Sequence, residues 1–121
     1  MLAQTIAAFA LSAALQTTAG SGDITLRVSG SGDWTVTCEF QTEAGVRTKR
    51  ARGRGLNDFD QIAAADAISG ACDYTGEDGA FVTVRVQAAD GFACPFDAGA
   101  DIDDCQARFG AGEARFSFER P

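Results

Sequence analysis

Four cysteines and the absence of histidine limit the chemistry that this sequence can support. The cysteines are Cys38, Cys72, Cys94 and Cys105, and no two of them have the Cys-x-x-Cys spacing typical of redox and zinc sites. Histidine-dependent nucleophilic catalysis and the usual transition-metal sites need an imidazole, which the chain lacks. We therefore expect structural disulfides, no cofactor, no metal site and no enzymatic activity.

The spacing of the cysteines favours one of the three possible pairings. Cys94 and Cys105 bracket a segment rich in Asp and Gly, so we expect a bond between them that holds this segment in place. Cys38 and Cys72 are then left to pair with each other. In the chain-entropy model a crosslink over a loop of this length stabilises the folded state by about 4 kcal/mol. That contribution matters because a domain of about 100 residues has a modest hydrophobic core.

Half of the cations in the chain lie in one short segment, from Arg47 to Arg54. On a strand, Arg50, Arg52 and Arg54 would share one side, with about 7 Å between neighbours. These three arginines are a candidate site for an anion, such as an envelope polyanion, a phosphate-bearing lipid or an acidic partner. We favour an edge strand, where charge prevents edge-to-edge aggregation. Its arginines would then pair with nearby carboxylates, namely Glu39, Glu43 and Asp66.

An acidic loop is the other candidate for a ligand site. Asp97, Asp101, Asp103 and Asp104 lie in the segment that the last two cysteines bracket. Clustered carboxylates suit hard cations such as calcium, but the spacing does not match the EF-hand loop, so we expect a solvated loop. Acid–base catalysis by two carboxylates needs no histidine, yet nothing raises one pair of the 17 acidic residues above another.

Short strands are the elements that must position these residues. The clearest is the stretch from Trp34 to Phe40, where polar and apolar residues alternate and the apolar ones share one face. Segments 24–28, 82–87 and 114–118 alternate in the same way. Among the aromatic residues we expect Trp34, Phe40, Phe116 and Phe118 in the core. Phe81 and Phe92 have weaker claims to the core, and if they are exposed they are the first surface aromatics to examine for a partner.

Segment 56–74 is ambiguous between helix and strand. Asp58 and Gln61 have the spacing of a capping box, and the alanine-rich run after them stops at Gly70, which favours a short helix near 58–69. The even-numbered residues from Ile62 to Tyr74 share strand parity, so we prefer a strand. About seven short strands with no long helix predict an all-β, antiparallel β-sandwich, immunoglobulin-like in the loose sense, with a small β-barrel as second choice.

The N-terminal segment is typical of a secretory signal. Residues 1–22 carry no charged side chain, and the apolar run of residues 6–15 is too short to span a membrane. We expect a signal peptide over residues 1–19 and a single disulfide-stapled domain over residues 20–121 without a transmembrane segment. Such a protein would be periplasmic or extracellular. The alternative is an uncleaved N-terminal anchor.

Net charge narrows the classes of partner. The chain carries −7 at neutral pH, which opposes general binding to nucleic acid. We expect an exported, non-catalytic binding or structural module of the bacterial-type cell envelope, whose partner is an unknown protein or an envelope polyanion. The alternative is an acidic periplasmic inhibitor of a basic, lysozyme-like cell-envelope hydrolase, because its charge would steer it to a cationic target.

Overall fold

The structure is a computed structural model that describes residues 20–96 and 105–120. The expected signal peptide over residues 1–19 and the four aspartates of the acidic loop lie outside these ranges. Eight strands are formed within the described residues. They are β1 (Gly22–Ser31), β2 (Trp34–Thr42), β3 (Gly45–Gly53), β4 (Asp58–Ala67), β5 (Ser69–Gly76), β6 (Phe81–Ala89), β7 (Gln106–Phe109) and β8 (Gly112–Phe118).

The strands form two antiparallel sheets that pack together without closing into a barrel. The first sheet has the order β4-β1-β6-β7, and the second sheet has the order β3-β2-β5-β8. Edge strands β3 and β4 therefore lie on one side of the sandwich, and β7 and β8 lie on the other. The predicted all-β sandwich is confirmed, with eight strands in place of about seven, and the β-barrel is wrong.

The period-two alternation of the strands produces the core between the sheets. Ile24, Leu26 and Val28 of β1 are fully buried, and they face the buried row of β2, which begins at Trp34 and ends at Phe40. Each strand thus covers the dry face of the opposite sheet and leaves its polar residues in water. The expected core positions of the aromatic residues are confirmed, since Trp34, Phe40, Phe116 and Phe118 are all buried.

The short helix considered near 58–69 does not form, because β4 occupies this segment. Ile62 and Ala64 lie opposite Leu26 and Ile24 of β1, so pairing and burial against β1 outweigh the helix propensity of the alanines. The preferred strand is confirmed only in part. Near its end Asp66 adopts a φ of 55°, and the chain crosses to the second sheet, where β5 begins. The predicted single run is therefore two strands.

Both expected disulfides are present. Cys38 and Cys72 are opposite each other on neighbouring strands β2 and β5, with their Cα atoms 4.0 Å apart and both side chains buried. The second disulfide joins Cys94 to Cys105, whose Cα atoms are 5.8 Å apart. Two disulfides in so small a domain indicate an oxidising, exported environment. Over residues 20–96 and 105–120 we find no helix with the length and apolar character that crossing a bilayer requires.

Candidate functional site

The predicted arginine stripe lies at the rim of the second sheet. Arg50 and Arg52 occupy outward positions of β3, which is an edge strand as expected. The Arg50 Nε donates a hydrogen bond of 3.3 Å to the Thr37 hydroxyl. Arg54 follows the end of the strand, and its backbone N–H donates to an oxygen of Asp58 at 2.7 Å. The three arginines are exposed, but only two of them belong to the regular strand face.

The other two cations of this segment point to the opposite side of β3. Arg47 and Lys49 lie across from Phe40 and Cys38 on β2, whose side chains enter the core. Because β3 is at the edge, both cations nevertheless reach solvent, where they line a groove of about 720 Å³ beside β4. Glu43 and Asp66 line the same groove, so the basic segment is divided between two surfaces that also carry carboxylates.

The register of the second sheet balances the charge on its outer face. Arg50 and Arg52 share this face with a third arginine, Arg115, and also with three carboxylates. These are Glu39, Asp73 and Glu113. The one ion pair in the described residues joins Arg115 to Asp73, at 3.7 Å. In the described residues no ion pair joins Arg50, Arg52 or Arg54 to the expected partners Glu39, Glu43 and Asp66. The outer face as a whole is nevertheless neutral, because it carries three arginines and three carboxylates.

The outer face of the first sheet has a different charge distribution. Its outward positions on β1, β6 and β7 include Arg27, Arg85 and Arg108. Among the described outward positions that the register pairs, none is a carboxylate, and Asp23 lies just before them at the start of β1. Two of the three acidic residues of β4, Asp58 and Asp60, are opposite inward-facing positions of β1. The third, Asp66, lies at the irregular end of β4, where its N–H donates to the Asp23 carboxylate at 3.1 Å. This face therefore carries local positive charge in a protein whose net charge is −7.

Two of these arginines face each other across adjacent strands. Arg27 of β1 and Arg85 of β6 are directly opposite in the antiparallel register. The Arg27 guanidinium lies 4.6 Å from the centre of the Phe59 ring on β4, while Arg85 donates a hydrogen bond of 3.4 Å to the Gln106 side chain on β7. The two guanidinium groups thus lean to opposite sides of the seam between β1 and β6, and neither meets a carboxylate at ion-pair distance in the described residues.

Exposed aromatic rings lie beside these arginines. Phe59 and Phe81 are 63% and 61% exposed, although phenylalanine usually occupies the core. Both rings line a shallow groove of about 380 Å³, together with Arg27 and small polar residues. We call this surface the arginine–phenylalanine face. It consists of Arg27, Arg85, Arg108, Phe59 and Phe81, with Ser29, Ser31 and Thr83 between them.

Sequence reasoning reached this face only in part. Of the two aromatics with weaker claims to the core, Phe81 is exposed, whereas Phe92 is half-buried beneath the guanidinium of Arg120 and packs edge-on against Phe118. Arg27 and Arg85 occupy polar positions in alternating segments, so their outward direction was visible. Their adjacency was not, because it depends on β1 pairing with β6.

The described residues hold no group of three or more Cys, Asp or Glu placed to bind a metal ion.

Comparison with known proteins adds no family to this description. No protein-family model matches the chain, and neither curated proteins nor solved structures show a significant similarity to it. The fold defines the class of protein, an antiparallel β-sandwich with two disulfides.

Proposed function

We propose that this protein is an exported, non-catalytic binding module of the bacterial-type cell envelope, periplasmic or extracellular, which holds an anionic ligand on the arginine–phenylalanine face. The observation that carries the proposal is the Arg27–Arg85 pair. Like charges directly opposite each other on neighbouring strands are destabilising, and natural sequences depart from such local rules mainly at functional sites. A bound anion would turn this unfavourable arrangement into a favourable one.

Guanidinium chemistry suits this role. Each guanidinium offers five N–H donors in a planar fork that matches the oxygens of carboxylate, sulfate or phosphate. Because Arg27 and Arg85 are exposed, an anion can approach both from the same side of the sheet. The net charge of −7 repels a polyanion at long range, but this field is screened beyond about 10 Å at 0.1 M salt. The local arginines should therefore dominate at moderate salt.

The experiment compares two double variants with equal changes in charge. One is Arg27→Ser/Arg85→Ser on the arginine–phenylalanine face, and the other is Arg50→Ser/Arg52→Ser on β3. The probe is inorganic polyphosphate, and its affinity is measured by calorimetry at 0.1 M salt. Fluorescence of the buried Trp34, the only tryptophan, verifies that each variant is folded.

A site on the arginine–phenylalanine face and a site on β3 predict opposite orders of affinity loss for the two variants. We expect the first variant to lose at least about tenfold in affinity, since a charge-assisted hydrogen bond contributes about 1.5–3 kcal/mol, and the second to change little. Greater loss in the β3 variant would place the site at the predicted stripe of Arg50, Arg52 and Arg54. Equal loss would mean that only bulk charge matters, and absence of binding by the unmodified protein to any anionic polymer would refute the proposal.

A second candidate function is inhibition of a basic cell-envelope hydrolase. It is favoured by an acidic tip at one end of the sandwich, where the turns that carry Asp33, Glu77 and Asp78 are joined by a hydrogen bond of 2.9 Å from the Glu77 N–H to the Asp33 carbonyl. These three acidic residues line a cleft of about 610 Å³ together with Arg52 and Arg54, whose positive charges reduce the negative charge of the cleft. We therefore rank this function second.

The inhibitor function has its own test. The protein should slow a cationic lysozyme-like hydrolase at a near-stoichiometric ratio, and added salt should weaken the effect because it screens the attraction. The variant Asp33→Asn/Glu77→Gln/Asp78→Asn should lose inhibition. An unchanged hydrolysis rate in the presence of excess unmodified protein would eliminate this candidate.

A further inference from the structure

The groove between Phe59 and Phe81 has a shape that restricts the kind of ligand it can hold. The groove runs across three strands, because Phe59 lies on β4, Phe81 lies on β6 and the floor between them lies mainly on β1. Phe59 is opposite Ser29, and Phe81 is opposite Ser31. The backbone positions that carry the two rings are therefore separated by two strand spacings and by two residues along the strand, or about 12 Å in a flat sheet. A ligand that touches both rings must be elongated.

The floor of the groove is polar, and this distinguishes it from a typical protein-binding hot spot. Ser29, Ser31 and Thr83 line the surface between the two rings, and the Ser31 hydroxyl accepts a hydrogen bond of 3.3 Å from the Asn57 N–H. Hot spots in protein interfaces place aromatic anchors at a dry centre and polar groups at the rim. Here the order is reversed, with rings at the ends and hydroxyl groups between them.

The cation in this groove is held in a defined position. The Arg27 guanidinium lies over the Phe59 ring at 4.6 Å, an arrangement that is attractive in itself and limits the freedom of the side chain. A planar donor fork is thus presented beside a flat apolar ring before any ligand arrives. Affinity benefits because less conformational entropy is lost on binding.

From these features we infer that the ligand is an acidic polysaccharide, a chain of sugar rings that bear carboxylate groups. This inference rests on the proposed function and specifies its ligand. The apolar C–H faces of two sugar rings of the chain can stack on Phe59 and on Phe81, hydroxyl groups between them can bond to the serine and threonine side chains of the floor, and carboxylates of the chain can accept hydrogen bonds from Arg27 in the groove and from Arg85 beside it. The extended chain spans the distance between the two rings.

The test uses the full folded protein and two kinds of probe. Two polyuronates of different linkage (alginate and pectate) carry both sugar rings and carboxylates, whereas inorganic polyphosphate carries anions alone. Affinities are measured for Phe59→Ala/Phe81→Ala and for Phe59→Leu/Phe81→Leu, which keeps apolar area but removes the flat rings. The matched control is Val46→Ala/Ile68→Ala, which truncates two exposed apolar residues on other surfaces.

We expect at least one polyuronate to bind, and both phenylalanine variants to lose about tenfold or more of that affinity, because flat rings contribute beyond their apolar area. Polyphosphate binding should fall less than polyuronate binding in these variants, because it loses only the positioning of Arg27 by Phe59 and no stacking contact, and the control should behave as the unmodified protein. If polyuronates bind equally well without the rings, or if none binds while polyphosphate does, this inference is refuted and the proposed function stands. If neither kind of probe binds, the proposed function itself fails.

Discussion

Replacing the buried disulfide tests how the second sheet is held together. The perturbation is Cys38→Ala/Cys72→Ala, which removes the bond between β2 and β5. In the chain-entropy model, a sequence separation of 34 residues corresponds to about 4 kcal/mol of stability. Both side chains are fully buried, and if each sulfur is treated like a methylene group its loss costs about 1 kcal/mol more. The expected loss is therefore about 6 kcal/mol.

The second disulfide provides the matched control. Cys94→Ala/Cys105→Ala opens a loop with a separation of only 11 residues, which corresponds to about 3 kcal/mol. Neither of these cysteines is buried, so little packing is lost with them. The structure thus predicts that the first variant loses about twice as much stability as the second.

The assay is urea denaturation, followed by the fluorescence of Trp34. With a slope of about 1.5 kcal/mol per molar urea, the control variant should unfold at a midpoint roughly 2 M lower than the unmodified protein, and the first variant roughly 4 M lower. Because 6 kcal/mol approaches the total stability of a small domain, all proteins are measured in the same concentration of sucrose, which strengthens the folded state. Equal losses, or a larger loss in the control, would refute this account of the core.

Three smaller perturbations test other parts of the structure. The Tyr74 hydroxyl donates to the Gly110 carbonyl at 2.7 Å, so Tyr74→Phe should cost about 1 kcal/mol in thermal or urea denaturation. Burial raises the pKa of Tyr74, the only tyrosine, above its ordinary value of 10.0; its ultraviolet titration should therefore have a midpoint above 10. The stability that it contributes should be complete below pH 10 and decline as the pH rises through the folded-state pKa, because the unfolded chain loses this proton first. Gly53→Ala would push a methyl group into the Trp34 indole; it should cost about 1–3 kcal/mol and change the fluorescence of the folded state, unlike the exposed Thr48→Ala on the same strand. Asp73→Asn removes an exposed ion pair and should change stability by less than about 0.5 kcal/mol; a larger loss would mean that Asp73 has another structural role.

The parts of the fold visible in the sequence are those controlled by local alternation. The strand from Trp34 to Phe40 and the outward position of Arg50 both follow from a period of two residues, which any strand imposes on its side chains. The pairing of Cys94 with Cys105 was also accessible, because it connects residues close in sequence. In each case the relevant neighbours lie within a short stretch of chain.

The candidate site depends on pairing between distant segments, which alternation does not specify. The sequence shows that Arg27 and Arg85 alternate with apolar residues, but only the register of β1 with β6 places them opposite each other. The same kind of information brings Asp73 and Glu113 onto the outer face that Arg50 occupies. For this reason the sequence overstates the positive charge around the stripe on β3, because it does not show the carboxylates that neighbouring strands bring to the same face.

The break between β4 and β5 shows a different limit. The even-numbered residues from Ile62 to Tyr74 fit one face of a strand, and this pattern predicted a single continuous strand. Asp66 instead adopts a left-handed conformation, which aspartate tolerates better than most residues. The Ile68 N–H then bonds to the Gln41 carbonyl at 2.7 Å, so the chain turns into the second sheet.

The most direct test of the central claim is to map the bound ligand onto the protein by nuclear magnetic resonance. An isotopically labelled sample is titrated with polyuronate at 0.1 M salt, and the backbone amide shifts are followed residue by residue. We predict that the largest changes fall on β1, β6 and the start of β4, around Arg27, Arg85, Phe59 and Phe81. Changes centred on β3 near Arg50 and Arg52, or spread evenly over the surface, would contradict the assignment of the arginine–phenylalanine face as the binding site.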